Sequence, residues 1–163
     1  MISLTTEQRK AVALALASNV VLRAGPGSGK TEVLKNIYRD LRDKGRVVVV
    51  MSYTHASADS FNDRIGEEVA TTMHAFCKAR FGVDASFEET FRRTIEIVER
   101  TSSLPSASTV TILVDEAQDC NEDQFRLLQA LMRKGYHVVC VGDAQQSSPS
   151  TKHLVIVFFR SIW

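Results

Sequence analysis

The sequence predicts an α/β domain in which a buried parallel sheet carries helices on both faces. Three observations carry that expectation. Short aliphatic runs recur along the chain, segments with apolar residues at three- and four-residue spacing separate them, and the runs lack the polar alternation of a half-exposed strand. With 163 residues, 44% of them hydrophobic, the chain can bury about two-thirds of its unfolded surface, so one core of ordinary size is available.

The elements come in order. Thr5-Thr6-Glu7-Gln8 has the form of a capping box, and Val12, Leu14, Leu16 and the intervening alanines suit a short buried helix to about Ser18. Val20, Val21 and Leu22 are too few for a helix and run into a glycine-rich loop. Val33, Leu34, Ile37, Tyr38 and Leu41 then recur at helical spacing until Gly45. Residues 46–51, with four consecutive valines, read as a strand buried on both faces, and a helix over 56–65 follows. A short helix is expected over 72–80. Ser86-Phe87-Glu88-Glu89 reads as a second capping box, opening a helix with Phe87, Phe91, Ile95 and Val98 on one face. Residues 101–109 form a loop, 110–114 a strand, 122–133 a helix stopped by Gly135, and 137–141 a strand.

A formal charge of +1 supplies no general attraction for nucleic acid, so any such contact must be local. Cys77, Cys120 and Cys140 have neither an even count nor CxxC spacing, which argues for buried reduced thiols. His74 and Cys77 stand at HxxC spacing, but two further ligands are lacking. No apolar run reaches the ~20 residues of a membrane span, and no leader pattern opens the chain; a soluble intracellular protein without membrane contact is expected.

Ala24-Gly25-Pro26-Gly27-Ser28-Gly29-Lys30-Thr31 fits the phosphate-binding loop, with alanine at the first glycine of the strict form. Its glycines let backbone N–H groups converge on phosphate oxygens, and the following helix adds its positive end. Lys30 is placed to reach the outer phosphates, and Thr31 offers a hydroxyl to Mg2+. Asp115 and Glu116 end an apolar strand, where the first carboxylate can hold the ion opposite Thr31 and the second can accept a proton from water. A surface acid pair or a helix cap would give the same two letters; the glycine loop upstream favours hydrolysis.

Ile112-Leu113-Val114-Asp115-Glu116-Ala117-Gln118-Asp119 resembles the DEAQD string of superfamily 1A DNA helicases of the UvrD/Rep type. Residues 4–8 resemble that family's Q motif, 51–58 its motif Ia, 72–76 its motif Ib and 141–147 its motif III. The resemblance implies a P-loop NTPase fold with a RecA-like ATP-binding domain over residues 1–147, ATP and Mg2+ as its ligands, and single-stranded DNA as a partner. It makes Lys30, Glu116 and Gln146 catalytic, Gln146 as the sensor of the terminal phosphate, and Gln8 the reader of adenine. The capping box explains Gln8 equally well. Tyr53, Thr54, Thr72 and His74 fall at DNA-contacting positions, although Tyr53 packed at a strand end and His74 satisfied within a helix are ordinary structural roles.

The chain also departs from the family. His55-Ala56 replaces an Asn-Lys pair, and Glu32 stands where arginine is frequent. The interval from Thr72 to Val110 leaves room for no more than a reduced 1B-type insertion. Beyond Ser147 the pattern stops, so residues 148–163 are expected to be an unmatched tail that can supply a last strand. Motifs IV to VI, which a second RecA-like lobe carries together with arginine fingers worth about 10³ to 10⁵ in rate, have no counterpart. Weak or partner-dependent hydrolysis and no unwinding by this chain alone are therefore expected, with a second lobe or a full-length helicase as partner. A non-hydrolysing ATP-dependent adaptor, or the partner lobe of a split helicase, is the alternative. A small-molecule kinase would require an arginine-rich lid, and the DEAQD string speaks against it.

Overall fold

The computed structural model describes residues 4–25 and 27–143, and the backbone of 155–158. Helix α1 (Thr6–Ala17) leads into β1 (Val20–Ala24), α2 (Lys30–Asp43), β2 (Val47–Ser52), α3 (His55–Ile65), β3 (Ala70–Thr72) and α4 (Met73–Phe81). Helix α5 (Phe87–Arg100), β4 (Val110–Val114), α6 (Glu122–Arg133), β5 (His137–Asp143) and β6 (Val155–Phe158) follow. The sheet order is β3-β2-β4-β5-β1-β6. The first five strands are parallel, and β6 pairs antiparallel with β1, from Val20 opposite Phe158 to Arg23 opposite Val155.

Successive strand residues point to opposite faces, and the packing follows that alternation. Val20, Leu22, Val48, Val50, Leu113, Val139 and Val141 pack with α1, α2 and α3, where Val12, Leu34, Ile37 and Phe61 are buried. Val21, Met51, Ile112, Val114, Val138 and Cys140 pack with α4, α5 and α6 around Phe76, Phe91, Leu127 and Leu131. Strands covered on both faces need no polar side, which is why 48–51 is apolar throughout, while Val47 at the strand start is exposed.

Local chemistry sets the helix ends. Thr5 and Gln8 form the reciprocal capping box at α1, and Asn121 with Gln124 forms another at α6 that the sequence reading passed over. At α5 only half of the expected box exists. Ser86 Oγ accepts from the Glu89 N–H at 3.4 Å, while the Glu89 carboxylate turns to Arg93 at 2.9 Å. Phe87 sits at the margin of the predicted face, its ring meeting Phe91 edge-on with centroids 5.2 Å apart. It is 47% exposed and stacks on His74, with ring centroids 5.9 Å apart. Strand β3 was not anticipated either, because three residues are too few to display a period.

Cys77 and Cys140 are buried and Cys120 is half-buried; burial pushes the Cys77 thiol up to about 11 and that of Cys120 to about 12. No helix among the described residues is long and apolar enough to cross a membrane.

Candidate functional site

The carboxyl ends of β1, β5 and β4 lie side by side, and the loops bearing the motifs leave from them. Ala24 is in register with Asp143 across β1 and β5. Beyond Ala24 the chain turns, with the Ser28 N–H donating to the Gly25 carbonyl at 3.2 Å. Gly27 and Gly29 take φ of 73° and 79°, a region that a Cβ disfavours. Gly29 is the N-cap of α2 and, lacking a side chain, leaves the first N–H groups of the helix uncapped. Ser28 Oγ is buried without a partner. Free backbone donors at a positive helix end suit a phosphate group. Pro26 lies outside the described residues, as does Gln146.

Lys30 and Thr31 sit in the first turn of α2. The Lys30 ammonium pairs with the Asp143 carboxylate. Thr31 Oγ1 accepts a hydrogen bond from Arg64 Nη1 at 3.1 Å. Asp115 follows β4; its N–H donates to the Met51 carbonyl and its Oδ1 accepts from the Glu116 N–H, both at 2.9 Å. Burial raises the Asp115 pKa above the usual carboxylate value and the Glu116 charge adds to the rise, while the Glu116 N–H, Lys30 and Arg64 oppose it. Thr31, Ser57, Ser60, Arg64, Asp115 and Glu116 are among the residues lining one cavity of about 240 Å³. The hydroxyl and the carboxylate expected to share a divalent ion thus face the same space, and hard oxygen donors of this kind suit Mg2+, which keeps waters in its remaining positions.

Glu116 has φ of 53°, one of two non-glycine residues with positive φ among those described. Its Oε2 accepts from Gln118 Nε2 at 2.6 Å, and Gln118 Oε1 accepts from the Asp143 N–H at 2.9 Å. A contact chain therefore runs from Glu116 through Gln118 and Asp143 to Lys30. Gly142 permits it, since a Cβ there would stand 2.6 Å from Gln118 Oε1 and 3.1 Å from the Gln118 backbone nitrogen. In the sequence Gln118 stands in the DEAQD string and Asp143 within 141–147, neither with an assigned role, and Arg64, 33 positions from its partner, is not singled out.

Gln8 serves two elements. Its Oε1 accepts from the Thr5 N–H at 2.9 Å within the capping box, and its Nε2 donates to the Ser28 carbonyl at 2.8 Å. The helix cap and the phosphate loop are thereby joined through one amide, which retains one N–H and one lone pair for a base edge.

The four candidate DNA residues separate into two kinds. Tyr53 is 40% exposed just beyond β2. Thr54 and Thr72 are the N-caps of α3 and α4, accepting from Ser57 and Ala75 N–H groups at 3.1 Å, and Thr72 is buried. Ser52 and Thr72 are in register across β2 and β3, which sets Tyr53 beside the start of α4. His74 Nε2 meets Thr90 Oγ1 at 3.1 Å, so its ring is held between α5 contacts.

No curated protein matches this chain. Among solved structures it is similar to a Bacteroides sp Pif1 crystallised in complex with ADP-AlF4, at 23% identity and a TM-score of 0.55. The similarity covers 93% of this chain and 35% of that one, so the chain spans about a third of that protein's length. The model of the AAA domain family matches residues 8–152. The chain belongs to the AAA domain family, and it shares its RecA-like α/β fold with that Pif1 structure.

Proposed function

We propose that the chain is the ATP-binding and ATP-hydrolysing domain of a UvrD/Rep-like DNA helicase, acting on single-stranded DNA together with a second RecA-like lobe. The observation that carries this reading is the single cavity onto which Thr31, Asp115 and Glu116 converge beside the uncapped start of α2. The Pif1 neighbour was crystallised with ADP-AlF4, which agrees with a nucleotide at this end of the sheet.

Each residue has a physical role. The backbone N–H groups of Gly27, Gly29 and Lys30 hold phosphate oxygens, and Lys30 leaves Asp143 to neutralise the outer phosphates. Thr31 and Asp115 would hold Mg2+, which supplies charge neutralisation on the phosphates when bound. Glu116 accepts the proton of the attacking water. Gln118 positions Glu116, because its amide donates to that carboxylate while being anchored on β5. Gln8 reads the adenine edge with its remaining N–H and lone pair, and Gln146 senses the terminal phosphate. Tyr53 stacks a base and His74 meets the strand nearby.

A second reading, a non-hydrolysing ATP-dependent adaptor, draws support from Thr54 and Thr72, whose hydroxyls are occupied as helix caps. Steady-state ATPase measurements with and without single-stranded DNA separate the two. Hydrolysis stimulated by DNA and reduced by Tyr53→Ala supports the motor-domain reading. Nucleotide binding with no hydrolysis under either condition supports the adaptor.

A further inference from the structure

Arg64 stands in the last turn of α3, two residues before the Gly66 C-cap, and points its guanidinium back across the sheet end to the phosphate loop. Its hydrogen bond to Thr31 Oγ1 uses one of five N–H donors. No carboxylate among the described residues lies within ion-pair distance of it. Arg64 nonetheless lines the same cavity as Asp115 and Glu116. Among the described residues, a cation so placed is next to acids yet bonded to a neutral hydroxyl, and it lacks a strong anionic partner there.

The hydroxyl it holds is the one assigned to the metal. Mg2+ binds oxygen at about 2.0–2.1 Å, so an ion on Thr31 Oγ1 would stand within a few ångströms of a guanidinium on the same atom. Two cations on that oxygen repel each other beyond what Asp115, as a ligand of the ion, offsets, and a further anion between them relieves the repulsion. The outermost phosphate of a triphosphate is the anion that reaches this position, since the uncapped N–H groups at the start of α2 take the inner phosphates. Planar guanidinium donors match phosphate oxygens in pairs.

We infer that Arg64 is a terminal-phosphate ligand supplied by this domain itself, which rests on Thr31 Oγ1 without nucleotide and transfers to the outermost phosphate when Mg·ATP occupies the cavity. This rests on the nucleotide-site reading above. It makes Arg64 a discriminator between ATP and ADP, because the diphosphate ends short of it.

Binding rather than turnover tests the inference. Fluorescent ATP and ADP analogues are titrated in Mg2+ against the unaltered chain, Arg64→Ala and Arg64→Lys, with far-UV circular dichroism verifying the fold. The expected result is ATP affinity reduced by about tenfold or more in Arg64→Ala, the scale of a charge-assisted hydrogen bond, with ADP affinity changed less than about twofold. Arg64→Lys recovers part of the ATP affinity. Equal weakening of both nucleotides, or none of either, overturns the role of Arg64 while leaving the nucleotide site standing. Failure of the unaltered chain to bind both ATP and ADP overturns the site and this inference together.

Discussion

Glu116 occupies a left-handed backbone conformation that costs a residue with a Cβ on the order of 1–2 kcal/mol, and the surrounding contacts hold it there. The Asp115 carboxylate takes its N–H and Gln118 takes its side chain, so the acid is aimed by neighbours on both sides. Gln118→Ala removes the aiming bond without touching Lys30 or Thr31. It is expected to lower kcat by on the order of tenfold with little change in KM, because proton acceptance contributes about 10² to 10⁴ and is only partly lost when the base is loosened. Equal KM and kcat losses in steady-state assays would place Gln118 in nucleotide binding instead. Lys30, Thr31, Asp115 and Glu116 were legible because each belongs to a short string whose loop or strand context restricts its geometry. Gln118 lay in plain view, yet its partner Asp143 is 25 positions away, and no local pattern announces such a pair. Arg64 carried no signal at all, as it is an ordinary basic residue in a helix's last turn.

Elements in this fold are fixed by their ends and by the closeness of the loops between them. Asn121 makes a complete capping box at α6, with bonds of 2.8 and 2.9 Å, whereas Ser86 makes a single 3.4 Å bond at α5. Asn121→Ala should therefore cost about 1 kcal/mol, and Ser86→Ala less than that, by urea denaturation. Gly142 is the tightest point. Adding a methyl meets Gln118 Oε1 at 2.6 Å and the backbone nitrogens of Gln118 and Ala117 at 3.1 and 3.2 Å. Backbone cannot yield as a side-chain tip can, so Gly142→Ala is expected to destabilise by about 1–3 kcal/mol, and an unchanged denaturation midpoint would contradict the close approach described here. The helices and four of the parallel strands could be read from periodicity to within a few residues. The exposure of position 87 could not: its ring meets Phe91 edge-on as an amphipathic helix predicts, yet it lies half exposed and stacks its face on His74.

The whole molecule is two hydrophobic layers divided by a sheet, and its stability is shared between them. Leu34 and Leu127, fully buried on opposite faces, should each cost about 2–5 kcal/mol when cut to alanine. At the end of the sheet opposite the cleft, His137 Nε2 meets the Ser18 carbonyl at 3.0 Å, so that nitrogen donates. Its Nδ1 is then free to accept from the Thr111 hydroxyl at 3.1 Å, while Arg46 Nε donates to Thr111 Oγ1 at 2.7 Å. This network suits neutral imidazole. Burial first and the Arg46 charge second lower the His137 pKa below its ordinary 6.5, although the bonds to backbone carbonyls partly offset them. Because the unfolded chain then binds the proton more readily, this group's stabilisation is complete above about pH 6.5 and is lost as pH falls toward the folded value. His137→Gln should flatten that part of the slope in thermal melts between pH 7.5 and 5.5, and an unchanged slope would show that His137 does not titrate on unfolding. The strand order, unlike the strands, was not legible, since pairing β1 with β5 and β2 with β4 depends on crossovers that no local pattern encodes. That order brings the glycine loop beside the Asp115 strand end, and the central claim is that Mg·ATP binds where they meet. Titration calorimetry of Mg·ATP against the folded chain and against Lys30→Ala tests it most directly. Saturable one-to-one binding that the substitution abolishes is the predicted result, and binding of equal affinity in both proteins would contradict it.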